Sequence, residues 1–171
     1  YRRTADYDTT IQRELSSRFG EQGLPISLQI SGIGSPPLRY GENPHQTAIF
    51  YSDMLATNPS VSSANQLQGR QLSYNNLLDF DAALSMVVEF DELTAVVVKH
   101  NNPCGAASSK TLEEAYDLAV ATDPQSSFGG VISFNSVVRE ELARKVVTTF
   151  KEGIIAPSFT EKALKIFSTK E

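Results

Sequence analysis

Lys99 and His100 close an apolar run, Ala95-Val96-Val97-Val98, and are the pair in this chain best suited to handling protons. The consecutive β-branched valines suit a pleated strand, and their lack of polar alternation predicts burial on both faces, as in a parallel sheet. In open α/β sheets ligands bind at the carboxyl ends of strands, which is where these two side chains emerge. Asn101-Asn102-Pro103-Cys104-Gly105 follows as a tight polar turn, and turns carried on rigid strands are favoured places for catalytic groups. A solvated strand end fits the same residue types equally well. Neighbouring residues on an extended strand point to opposite faces, so the chain must bend here if both side chains are to reach one substrate.

Other reactive types give weaker patterns. Cys104 is the single cysteine; an adjacent imidazole can activate a thiol, but a small buried residue in a turn is the favoured reading. Pro103-Cys104 matches the start of a Pro-Cys-x-x-Cys zinc element, yet Gly105-Ala106-Ala107 supplies no second thiolate, and no metal is expected. The spacing of His45 and His100 suggests no ligand set. Leu38-Arg39-Tyr40-Gly41-Glu42-Asn43-Pro44-His45-Gln46 packs charged, aromatic, amide and imidazole groups around Gly and Pro, the composition of a rigid binding loop. Arg39 there is either a phosphate fork or a surface charge. Phe128-Gly129-Gly130 is either a turn into a strand or backbone that a ligand can approach closely. Gly32 and Gly34 lack the third glycine and the following helix of a dinucleotide fingerprint.

The elements that must position these groups follow from periodicity. Tyr7, Ile11, Leu15 and Phe19 make an amphipathic helix over residues 4–19, with Gly20 ending it. Ile26, Leu28 and Ile30 alternate as a short strand. Ser31 to Pro37 reads as a linker or tight loop, with a domain boundary within residues 20–37. A strand is expected over 47–51 and loop over 52–75. Asn76 opens a helix whose stripe is Leu77, Phe80, Leu84 and Val87 or Val88, with Asp79 and Asp81 suiting its dipole. Thr111-Leu112-Glu113-Glu114 is a capping box, and Pro124 ends that helix. A strand at 131–134, a helix at 137–150 capped by Ser136, a strand at 154–156 and a helix from Thr160 to Phe167 complete an alternating order. That order predicts an α/β fold with a largely parallel sheet.

Composition narrows the function classes. Lys plus Arg number 15 against 20 Asp plus Glu, and they are scattered, so nucleic acid is not an expected partner. No apolar run reaches membrane-spanning length. A lone cysteine leaves the compartment unspecified but compatible with a reducing cytoplasm, which is the expected location. The opening Tyr1-Arg2-Arg3-Thr4 has no initiator Met and no apolar signal region, which reads as a segment of a longer protein.

Taken together, Arg39 to Gln46, Leu72-Ser73-Tyr74-Asn75-Asn76-Leu77-Leu78-Asp79, Val98 to Gly105 and Ser127-Phe128-Gly129-Gly130 resemble the bifunctional AICAR transformylase/IMP cyclohydrolase family of purine biosynthesis. The resemblance implies that residues 1–20 are the C-terminal helix of the cyclohydrolase domain, 21–37 a linker, and 38–171 the first half of the transformylase domain. It implies a three-layer α/β/α fold similar to the cytidine deaminases but without their zinc. The implied reaction transfers the formyl group of 10-formyltetrahydrofolate to the 5-amino group of AICAR, with no metal. His100 would accept the proton, and Lys99 would stabilise the transition state or assist departure of the folate nitrogen. Arg39, Tyr40, Asn76, Gly129 and Glu152 would bind AICAR, and His45 would support the site. Glu152 stands where relatives also carry Asp. The family completes its folate and nucleotide sites with a second half and builds the active site at a homodimer interface, so the 171 residues alone are expected to be inactive. Two other readings are a non-catalytic module binding a purine nucleotide or imidazole-riboside phosphate, and, more distantly, a deaminase-like hydrolase.

Overall fold

The computed structural model describes residues 1–20, 32–53 and 58–169. The strand expected at Ile26 to Ile30 lies outside them. Helix α1 spans Arg2–Phe19, and its stripe of Tyr7, Ile11, Leu15 and Phe19 is exposed. Gly20 follows it in an extended conformation rather than the left-handed one of a Schellman cap.

Strands β1 (Gly32–Pro37) and β2 (Ile49–Asp53) form an antiparallel ribbon. The loop conformation expected over 32–37 is therefore corrected to strand for these residues. The glycines and prolines that suggested a loop are accommodated because the register shifts between Gly34 and Pro37, and an irregular edge tolerates a residue with no N–H.

Among the described residues the main sheet has four strands in the order β4-β3-β5-β6: β3 is Leu93–Lys99, β4 Asn102–Ser109, β5 Val131–Phe134 and β6 Gly153–Ile155. Helices cover both faces. Ala95 and Val97 of β3 and Ile132 and Phe134 of β5 pack with α3 (Leu112–Thr122), α5 (Glu140–Val146) and α6 (Glu161–Phe167). Val96, Val98 and Val131 face the other way, onto Phe80, Ala83 and Val87 of α2 (Tyr74–Val87). This is the expected three-layer α/β/α arrangement. It also explains the missing polar alternation, because both pleat faces of β3 are buried.

The expected strand directions are corrected. β3 pairs antiparallel with both β4 and β5, and only β5 and β6 run parallel, so the sheet is mixed. Burial on both faces reports helices on both sides and does not require parallel neighbours. The turn assigned to Asn102 through Gly105 is instead the start of β4. Pro103 is tolerated because β4 is an edge strand with a bulge: Val97 pairs with Gly105 and Val98 with Pro103, leaving Cys104 as the extra residue.

Several caps follow the sequence, while boundaries shift. Thr111 accepts from the Glu114 amide, and Thr160 from that of Ala163. Helix α2 starts at Tyr74, because Ser73 and Asn76 cap each other reciprocally. Asp123 caps a further short helix, α4 (Pro124–Ser127), with Pro124 at its first position. Helix α5 is shorter than expected: Val138 bridges to Phe159, which delays the helix until after Arg139.

Candidate active site

The site begins where β3 ends. Lys99 pairs with Asn102 across a two-residue loop, and both loop residues have positive φ, 54° at His100 and 61° at Asn101. Positive φ at both central positions is the signature of a type I′ hairpin turn, whose twist matches that of the strands it joins. The usual sequence for it is Asn-Gly, and His-Asn must accept left-handed backbone at roughly 1–2 kcal/mol per residue. The fully buried Val96, Val97 and Val98 outweigh that strain, each contributing about 1.5–3 kcal/mol by burial. The chain thus bends immediately after Lys99, as two neighbouring side chains serving one substrate require.

Around this turn the sheet edge brings together residues far apart in sequence. Lys99 Nζ donates to the Phe128 carbonyl at 2.8 Å, and Lys151 Nζ donates to the preceding carbonyl, Ser127, at 2.9 Å. Two ammonium groups thus hold the end of α4 just before Gly129, which has φ 71° and donates its N–H to Phe150. A side chain at Gly130 would meet the Val98 carbonyl at 2.9 Å, so this turn sits tightly on the sheet. Phe128 and Phe150 flank it with ring centroids 5.9 Å apart, both more than half exposed. The Glu152 N–H bonds to the Gly130 carbonyl, and its side-chain Oε2 accepts from Asn76 Nδ2 at 3.1 Å. Asn76 therefore serves twice: Oδ1 caps α2 and Nδ2 holds the Glu152 carboxylate.

The Arg39 loop is tied to the same end of α2. The Arg39 N–H donates to Leu72 and the Tyr74 N–H donates to Tyr40. Asn75 Nδ2 reaches the Glu42 carbonyl at 3.2 Å. The Arg39 guanidinium lies 4.9 Å from the centroid of the Tyr40 ring and 3.3 Å from its hydroxyl. Gln46 closes the loop onto Gly41 and Asn43. His45 is exposed on this loop, and its imidazole has no hydrogen bond to any described residue. The sheet edge thus unites Lys99, His100, Asn76, Gly129 and Glu152, and α2 anchors Arg39 and Tyr40 beside them. Among the described residues no hydrogen bond joins Arg39 or Tyr40 to Lys99 or His100.

The electrostatics separate the reactive groups. Burial pushes the Cys104 thiol up, and its Sγ lies 3.5 Å from the Val97 carbonyl. A thiol so placed stays protonated near neutral pH, in keeping with a bulge residue rather than a nucleophile. Burial also holds the Lys151 ammonium below the usual lysine range, with Cys104 opposing the shift and repulsion from Lys99 adding to it. Among the described residues no group of three or more His, Cys, Asp or Glu is arranged to hold a metal ion. No described helix is long and apolar enough to cross a membrane.

Sequence reading missed Lys151 as a site residue and gave Asp79 only a helix-dipole role. Asp79 Oδ1 accepts from the Asn101 N–H at 2.6 Å. A signal for it existed: Asp79 lies three residues after Asn76, so the two share one face of α2. Lys151 carried no comparable signal, because its place depends on how α4 ends.

A family model described as AICARFT/IMPCHase bienzyme matches residues 1–171. The chain is 48% identical over 171 residues to a protein from Halalkalibacterium halodurans named bifunctional purine biosynthesis protein PurH. Proteins of the same name from Anoxybacillus flavithermus and Acetivibrio thermocellus are 46% and 44% identical over 171 residues. All of this chain is covered in each comparison, against 33% of the relative. The chain thus spans about a third of the length of the curated relatives it matches.

Proposed function

This chain belongs to the AICARFT/IMPCHase bienzyme family, and from that membership we propose that it carries the first half of an AICAR transformylase site. The complete protein transfers a formyl group from 10-formyltetrahydrofolate to the 5-amino group of AICAR and also acts as an IMP cyclohydrolase. Residues 38–171 belong to the transformylase domain, 1–20 to the last cyclohydrolase helix and 21–37 to the linker. The protein works in the cytoplasm as a homodimer.

The observation that carries this reading is the convergence at one sheet edge: Lys99 bonded to the Phe128 carbonyl, His100 exposed beside it, and Asn76 bonded to Glu152. The AICAR amine is a poor nucleophile, its lone pair delocalised into an imidazole that bears a carboxamide. Its nitrogen bonds to the formyl carbon as His100 takes its proton, giving a tetrahedral oxyanion. Collapse re-forms the carbonyl and breaks the bond to the folate nitrogen, which leaves with the proton that His100 took from the amine. The Lys99 ammonium offsets the oxyanion charge, and its bond to Phe128 keeps it at the sheet edge. Arg39 and Tyr40 take the nucleotide phosphate end, Asn76, Gly129 and Glu152 hold the remainder, and His45 supports the loop.

The test is formyl transfer by a full-length protein carrying this segment. His100→Ala should lower turnover by about two to four orders of magnitude, the range for a positioned general base. Near-normal turnover would remove His100 from the mechanism. AICAR binding without any transfer by the unmodified protein would favour a non-catalytic nucleotide-binding module. The 171-residue chain by itself should show no transfer, and robust turnover from it would contradict its assignment as half a site.

A further inference from the structure

We infer that Asp79 is a positioning residue for His100, acting through the backbone of the turn between β3 and β4; the catalytic part of this inference rests on the role proposed above for His100. Both turn residues occupy left-handed backbone that L side chains rarely adopt, and neither is glycine. Left-handed pairs of this kind persist where surrounding contacts over-determine them. Two such contacts are present. Asn102 Nδ2 donates to the His100 carbonyl at 2.9 Å, within the hairpin. Asp79 Oδ1 accepts from the Asn101 N–H at 2.6 Å, from a different element.

The second contact is the informative one. A carboxylate accepting from a backbone N–H is a charge-assisted bond, stronger than a neutral pair. It ties the tip of the hairpin to α2, a helix whose Phe80, Ala83 and Val87 are packed against the sheet. Asp79 lies three residues on from Asn76, which holds Glu152, so the two neighbour each other on α2. One helix face therefore sets the position of the turn and of the Glu152 carboxylate together. The His100 imidazole has no hydrogen bond to any described residue, so its placement depends on the backbone that carries it. Loss of the Asp79 contact leaves the turn free to leave the left-handed region, which moves the imidazole away from the amine it serves.

The experiment pairs a perturbation with its repair in a full-length protein carrying this segment. Asp79→Ala should lower kcat for formyl transfer by about 10- to 100-fold, the scale of a misplaced catalytic group, with KM for AICAR within about twofold. Asp79→Asn keeps an acceptor oxygen without the charge and should fall between Asp79→Ala and the unmodified protein. Asn101→Gly in the Asp79→Ala background should restore much of the loss, because glycine takes positive φ without steric cost. In the 171-residue chain, the Asn101 amide proton should move upfield and lose exchange protection in Asp79→Ala while the amides of Val96 to Val98 stay protected. Unchanged kcat in Asp79→Ala, or no recovery on adding Asn101→Gly, would overturn the inference. Those outcomes alongside an inactive His100→Ala sink the Asp79 role alone, whereas an active His100→Ala sinks the reading of the site.

Discussion

The two ends of strand β3 are built on opposite principles. At its start, Thr94 and Asn135 belong to a closed network. The Thr94 N–H donates to Asn135 Oδ1 at 2.9 Å, its hydroxyl meets the Glu92 carbonyl and Ser108 Oγ, and Asn135 Nδ2 donates to the Phe90 and Glu92 carbonyls. The side chains of Thr94 and Asn135 are both bonded within the chain, and neither residue has positive φ. At the other end, seven residues on, the backbone is left-handed, two ammonium groups share one short turn, and an imidazole is left to solvent. Saturated hydrogen bonding marks the end that holds the sheet together. Strain and unspent bonding capacity mark the end available for chemistry.

Substitutions that separate stability from turnover test this contrast. The largest effect is expected at His100. Replacing it with Gly should abolish the base, with a loss in turnover of about two to four orders of magnitude, while unfolding by urea shows stability unchanged or raised by up to about 1 kcal/mol. A clear loss of stability would mean that the imidazole is part of the scaffold. Asn135→Ala should do the reverse, costing about 1–3 kcal/mol of stability by stranding the Thr94 amide, with turnover per folded molecule preserved. Equal damage to both properties would erase the distinction between the ends. Arg39→Ala should weaken AICAR binding by about tenfold or more, the value of a charge-assisted contact, and calorimetry showing unchanged affinity would remove Arg39 from the phosphate site.

The smallest effect concerns Asp123, which caps α4 beneath the site. The Ser126 hydroxyl and amide hold its carboxyl below the ordinary value of 3.8. A folded pKa below the unfolded one contributes stability that is complete above the unfolded value and is lost as pH falls through the folded value. Asp123→Asn should therefore flatten the acid limb of the stability curve below about pH 4 and leave the neutral region nearly level. An unaltered acid limb would show that the cap is not coupled to folding.

The contrast also shows what could be read from the sequence. Apolar content without alternation identified β3 and the two-sided burial of its valines, and Thr111 and Thr160 announced their helices through capping chemistry. Strand direction was hidden, because antiparallel pairing here depends on a hairpin made from His-Asn where Asn-Gly would have advertised it. Pro103 concealed β4 for a similar reason: only an edge strand with a bulge accepts it, and edge position is a property of the whole sheet. Lys99, His100, Asn76, Gly129 and Glu152 were named from motifs and converge in space. Lys151 and the Asn101 contact of Asp79 depend on where α4 ends and how α2 lies across the sheet, which no local pattern encodes.

The two-residue loop between β3 and β4 also bears on the order in which the chain can organise itself. The entropy lost on closing a loop grows with its length, so this pairing is the least costly in the sheet. β5 can meet β3 only after the excursion through α3 and α4, and β6 only after α5. The turn that presents Lys99 and His100 is thus specified by the most local contacts of the sheet, and the more distant elements close around a tip already drawn.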